Sequence, residues 1–250
     1  MPLFETSSLF ILLLAYEQLT GDKAYARQYT SLLKSYAEWL ANDNSLYPSS
    51  QLISVDSIAA KPNQTGLAIQ SAIGLKAASV LLGDDRYAAL ASANAEEIWD
   101  NGLGLDGSSP EDSSHFTYYY DQPSTWNVLF PAFSDVVLGL DTFPSEAWEL
   151  QSSWYAESIS ELGLAWSDST KWGLLDWNIV AAAVSSEEVQ KAIISTSHAF
   201  LTNGVNDEPF GTRYFVKGER VGQWLSNKAR PTVGSNFAIL ALKEGLIYDV

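Results

Sequence analysis

No cysteine occurs in the 250-residue chain, which excludes disulfides, thiolate nucleophiles and cysteine-ligated zinc. Histidine is almost as scarce. His115 and His198 are the two present, and no metal-ligand spacing of histidines exists. His115 falls in a long connecting segment and His198 in a helical one, and no Gly-x-Ser-x-Gly elbow accompanies them, so a serine–histidine mechanism is poorly supported. Phosphate loops and dinucleotide fingerprints are also missing. Basic residues are few, 14 Lys and Arg against 30 Asp and Glu, giving a formal net charge of −16 and a pI near 4.3. Such a surface repels phosphate backbones and anionic headgroups, which argues against nucleic acid and membrane as partners. The stretch from Leu9 to Leu14 is too short to cross a bilayer and carries neither the charged leader nor the cleavage site of a signal peptide, so it reads as a buried helix.

What the chain does have is bulk for a core. Hydrophobic residues make up 46%, with 9 Trp, 12 Tyr and 10 Phe, while charged residues reach only 18%. That is a packed globular composition of a length suited to a single domain over residues 1–250. One acceptor sequon, Asn63-Gln64-Thr65, is compatible with secretion.

Periodicity and stop signals predict nine helices, at about 5–19, 22–42, 64–82, 84–101, 123–140, 145–162, 174–184, 187–203 and 231–246. Short, well-capped links join them in pairs: Thr20-Gly21-Asp22, Gly83-Asp84-Asp85, Pro144-Ser145-Glu146 and Ser185-Ser186-Glu187. Long links rich in Gly, Pro, Asn, Asp and Ser separate the pairs, over about 43–63, 102–122, 163–173 and 204–230. The best strand signal is Arg213-Tyr214-Phe215-Val216. Charge follows the same rhythm. The odd-numbered helices carry 7 charged residues in 79 positions, the even-numbered 18 in 74. A helix apolar nearly all round is buried on both sides, and one with a charged face lies outside. The expected fold is therefore all-α: a toroid of helical hairpins, odd helices inside and even helices outside. A closed ring of six hairpins needs twelve helices, so nine predict an incomplete ring that is open or lacks an N-terminal portion.

In such a ring the N-termini of the inner helices point one way, and the long links feed that rim with unpaired N–H groups and positive potential. Asp56, Asp121 and Asp176 come to it as candidate carboxylates for general acid/base work, with helix capping as their structural alternative. Asn127 is a candidate positioning amide. Trp126, Trp172 and Trp177 could form a stacking wall for a sugar or a flat amide, or simply pack in the core. Arg230 could clamp a substrate carboxylate bidentately or join a surface ion pair. Nothing in this arrangement calls for a cofactor or a metal. The expected ligand is a small molecule, and the sequence leaves the oligomeric state open. A glycoside hydrolase or carbohydrate-binding domain would use the same residue types, with two carboxylates about 5–10 Å apart.

Four blocks in order resemble the fungal glutaminase A family. They are Leu46-Tyr47-Pro48-Ser49-Ser50-Gln51-Leu52 with Asn63-Gln64-Thr65-Gly66-Leu67-Ala68-Ile69; Asp121-Gln122-Pro123-Ser124-Thr125-Trp126-Asn127 with Leu138-Gly139-Leu140-Asp141-Thr142-Phe143-Pro144; Trp172-Gly173-Leu174-Leu175-Asp176-Trp177; and Arg230-Pro231-Thr232-Val233-Gly234-Ser235. The resemblance covers nearly the whole chain. It implies a six-hairpin glycosidase-like fold and hydrolysis of L-glutamine to L-glutamate and ammonia. It also implies an extracellular or cell-wall location, and a correspondence to the C-terminal part of longer family members. A non-catalytic helical remnant is the further alternative.

Overall fold

A computed structural model describes residues 1–42, 45–54, 59–207, 211–228 and 231–242. Its helices are α1 (Pro2–Thr20), α2 (Lys23–Arg27), α3 (Thr30–Ala41), α4 (Thr65–Leu82), α5 (Asp85–Ile98), α6 (Ala132–Val137), α7 (Ser145–Ser158), α8 (Leu175–Ala183), α9 (Glu187–Thr202) and α10 (Ala238–Ala241). Three short strands, β1 (Trp172–Leu174), β2 (Gly211–Phe215) and β3 (Trp224–Lys228), form one antiparallel sheet in that order. The fold is mostly helical. The described residues divide into two compact units, 1–123 with 134–144, and 124–133 with 145–242.

The first unit is built on α4. Residues 66 to 75 of this helix are buried without a break, as its single charged residue, Lys76, foretells. It is long and apolar enough to cross a membrane, but it serves here as a core helix with 78% of its length buried. The α1 helix packs along it where Gly74 meets Ser7; a Cβ on Gly74 would lie 2.6 Å from the Ser7 Cβ. The predicted caps hold. Gly21 adopts φ 71° and its N–H bonds the Glu17 carbonyl, while the Asp22 carboxylate accepts from Ala24 N and Tyr25 N. Gly83 and Asp84 repeat the device before α5. Opposite the start of α4, residues 117–120 run beside 63–65, with Thr65 N bonded to Tyr118 O and Tyr120 N to Asn63 O. In the 134–144 segment the buried Asp135 carboxylate accepts from Thr142 N at 3.0 Å and Phe143 N at 3.2 Å.

The second unit centres on the β1–α8 junction. Asn178, buried on α8, accepts from Leu164 N at 2.7 Å and donates to the Leu164 and Leu174 carbonyls at 3.1 and 3.0 Å. Ala181 to Ala183 are buried, as the alanine run predicts for an inner helix. Trp126, Leu162, Leu175, Phe200, Tyr214 and Val216 form one cluster, in which Phe200 stacks on Tyr214 at 3.6 Å. Ser186 caps α9 through Val189 N.

Several expectations need correction. The helix expected at 22–42 breaks at Gln28 and Tyr29 into α2 and α3. The helix expected at 123–140 survives only as α6. Its first part is extended because Asn127 bridges to Ser167, Val128 N bonds Trp166 O, and Asp168 N bonds Trp126 O. Pro131 reinforces this by disfavouring helix at Phe130. The helix expected at 231–246 begins as a 3-10 turn over Pro231–Phe237 and continues as α10; residues beyond 242 lie outside the described ones. The strand signal at Arg213 is met by β2, but β1 and β3 were not anticipated. The inside–outside division holds for α4 and α8. By contrast α1 is buried on one side only, with Leu12 and Leu19 exposed.

Two consequences can be measured. Gly74→Ala gains about 1 kcal/mol of helix propensity, yet it should lower stability by about 1–3 kcal/mol because α1 must move off α4. An unchanged urea midpoint would show that the two helices do not meet this closely. Burial raises the pKa of Asp135, outweighing its hydrogen bonds from Thr142 and Phe143. A carboxyl whose folded pKa is raised contributes stability below its unfolded pKa and loses it as pH rises through the folded value. Unfolding free energies from roughly pH 4 to pH 7 should therefore fall more steeply for the wild type than for Asp135→Asn, which cannot ionise.

Candidate functional site

Of the eight residues singled out from the sequence, Asp56 and Arg230 lie outside the described residues. Asp121 belongs to the first unit. It sits in an exposed turn with φ 57°, on the wall of a cleft of about 380 Å³ that Glu97, Asn101 and Asp106 also line. Beside it, Asp106 accepts from Ser114 N at 2.8 Å, His115 N at 3.0 Å and Ser114 Oγ at 2.6 Å. Burial raises the Asp106 pKa, but these bonds and the His115 imidazole outweigh it and the net shift is downward. The Ser114 hydroxyl donates to the carboxylate while lying 3.1 Å from His115 Nδ1. This arrangement closes a loop and does not activate Ser114 as a nucleophile.

The other five candidates fall in the second unit, and the extended pairing of 126–128 with 166–168 organises them. Trp166 N bonds Trp172 O at 2.8 Å, which adds β1 to the same layer. A row of stacked rings follows: Trp177 to Phe130 at 4.0 Å, Phe130 to Trp166 at 6.1 Å, and Trp166 to Trp172 at 6.5 Å. Trp172 and Trp177 therefore share one stack, and each is partly exposed. Trp126 does not join it. It is buried in the core cluster and meets Trp154 edge-on. Its neighbour Asn127 is buried beneath the pairing with Ser167.

Asp176 is 3% exposed, in the first turn of α8, where the helix dipole favours a negative charge. Its carboxylate acts on the Tyr214 hydroxyl. Burial first, and then the Asp176 charge, raise the Tyr214 pKa, and that hydroxyl donates to the Leu162 carbonyl at 2.9 Å. Asn127 Oδ1, Trp166 Nε1 and Trp177 Nε1 are among several buried polar atoms of this unit with no hydrogen-bond partner among the described residues; Ser197 Oγ, Thr212 Oγ1 and Asn236 Oδ1 are others. Buried groups of this kind are uncommon in native proteins and call for an explanation.

Sequence reasoning missed Arg213. Its guanidinium lies 3.7 Å from the centre of the Trp172 ring, a cation–π distance. The strand period puts Arg213 and Phe215 on one sheet face, and β2 pairs with β1 so that Trp172 lies opposite Phe215 and Leu174 opposite Arg213. The register shifts next to Arg213, between β2 and β3, and such irregularities re-aim side chains. The strand itself was legible; its pairing with the tryptophan-bearing segment was not.

Elsewhere in this unit a cavity of about 440 Å³ is lined by Leu175, Ile179, Ile194, His198, Phe237 and Leu240 among others. It is apolar and holds no carboxylate. Among the described residues no group of three or more His, Asp or Glu could hold a metal ion.

Comparison with known proteins agrees with the motifs. The family described as the glutaminase A six helical-hairpin domain matches residues 1–240. Glutaminase A of Aspergillus oryzae is 28% identical over 253 residues, which cover 97% of this chain and 35% of that protein. A probable glutaminase of Arthroderma benhamiae is 26% identical over 260 residues, covering 89% of this chain and 28% of its own length. The chain thus spans about a third of the length of these relatives. With a family match over nearly its full length, the chain belongs to the glutaminase A six-helical-hairpin family.

Proposed function

We propose that the chain is a glutaminase-like amidohydrolase domain acting on the side-chain amide of L-glutamine, on a ring of helical hairpins. The observation that carries this reading is the set of orphaned polar atoms in the unit that holds Asp176. A primary carboxamide offers one carbonyl acceptor and one NH2 donor. The indole N–H groups of Trp166 and Trp177 suit its oxygen, including the oxyanion that forms on attack, and Asn127 Oδ1 suits its NH2. Arg213, braced on Trp172, suits the α-carboxylate. The two glutaminases among the relatives support the same substrate.

In this scheme the Asp176 carboxylate takes a proton from a water molecule whose oxygen attacks the amide carbon. The tetrahedral intermediate then expels nitrogen as the carbon–nitrogen bond breaks, and the same carboxyl returns its proton to the departing ammonia. Asp56 and Asp121 remain sequence candidates for a second acid.

Ammonia release from L-glutamine by the purified chain tests the proposal. Asp176→Asn should abolish it, with kcat down about 1000-fold. Arg213→Ala should mainly raise KM, by about 10- to 100-fold. Full activity in Asp176→Asn, or reducing-sugar release in place of ammonia, would overturn the reading.

A further inference from the structure

The outer helices of this chain are not alike. On α5 the exposed positions are Asp85, Arg86, Ala89, Ser92, Ala93, Glu96 and Glu97, and on α7 they are equally small or charged. The α2–α3 pair differs. One face is buried through Ala26, Leu33, Ala37 and Leu40, as an outer helix requires. The opposite face exposes Tyr25, Tyr29, Leu32, Tyr36 and Trp39, spaced four, three, four and three residues apart. On α3 that spacing makes an apolar seam of the kind that receives another helix, and Tyr25 on α2 extends it across the break at Gln28 and Tyr29. The seam continues onto α1, because Tyr25 meets Tyr29 edge-on at 5.8 Å and Tyr16 in a tilted contact at 5.2 Å, and Tyr16 shares its face with Leu12 and Leu19. These eight residues are 40% to 67% exposed.

We propose that this face is a dimer interface, in which a second copy of the chain lays its own α1–α3 face antiparallel across the first. Area argues for a second copy. Eight side chains of roughly 200 Å² each, about half exposed over α1–α3, offer roughly 800 Å², which is about what each partner contributes to a stable interface. A two-fold axis near Leu32 sets the helix dipoles of the two copies in opposition.

Sedimentation of the 250-residue chain from about 1 to about 100 µM should show a monomer–dimer equilibrium. Tyr36→Glu should weaken it about 100-fold, while Ile194→Glu, at an exposed apolar site on α9, should leave it unchanged. Because the chain has no cysteine, Leu32→Cys supplies a second readout. Mild oxidation should cross-link it into a disulfide dimer across the axis, and Ala89→Cys on α5 should stay monomeric under the same conditions. A chain that is monomeric throughout would overturn the proposal. So would a dimer indifferent to Tyr36→Glu, or one in which Leu32→Cys and Ala89→Cys cross-link equally.

Discussion

The second unit depends on one buried side-chain amide. Asn178 satisfies both the N–H and the C=O of Leu164, and a further carbonyl at Leu174. A loop segment inside a packed core carries backbone groups that must be bonded, and no regular ladder reaches Leu164 from its own neighbours. The two flanking glycines follow from this. A Cβ on Gly163 would lie 2.8 Å from the Asn178 Oδ1, and one on Gly173 would overlap the Leu164 carbonyl. With that contact fixed, β1 must end where α8 begins. Asp176 then falls in the first turn of the helix, and Trp172 and Trp177 fall on either side of the junction.

What was legible in the sequence was whatever depends on local chemistry or on burial averaged over a helix. The Gly21–Asp22 and Gly83–Asp84 junctions form as expected because a left-handed glycine and a capping carboxylate act within a few residues. The buried α4 and α8 were readable from their lack of charge. The failures share one cause, which is distant pairing. Residues 126–128 have an acceptable helical pattern, but their N–H and C=O groups find partners at 166 and 168, and propensity is too weak to resist a buried ladder. β1 is three residues long, and nothing in Trp172-Gly173-Leu174 announces that its partner lies some forty residues on.

The candidate site was legible in its parts and not in its grouping. Asp176 was legible from its place at the start of a predicted inner helix, and its tryptophan-flanked motif from the family resemblance. Trp126 stood out equally and is a core residue, because aromatic side chains serve both purposes and only packing separates them. Arg213 was hidden for the opposite reason. It belonged to a recognised strand, and an arginine on a strand face means little until the ring beneath it is known. The orphaned atoms on Asn127, Trp166 and Trp177 are invisible to any pattern, since an unmet hydrogen bond is a property of the fold alone.

The charge distribution connects the fold to the proposed chemistry. Five of the 14 basic residues, Arg213, Lys217, Arg220, Lys228 and Arg230, fall between positions 211 and 230, with Glu219 as the one acid among them. In sequence this is a local cationic segment within a chain of net charge −16. L-Glutamine is a zwitterion with no net charge, so the surrounding acidity does not oppose its approach, and its carboxylate can still be held by Arg213. Hydrolysis replaces the neutral amide with a second carboxylate. Under the proposed chemistry the product would gain a negative charge inside an acidic protein, which would repel it.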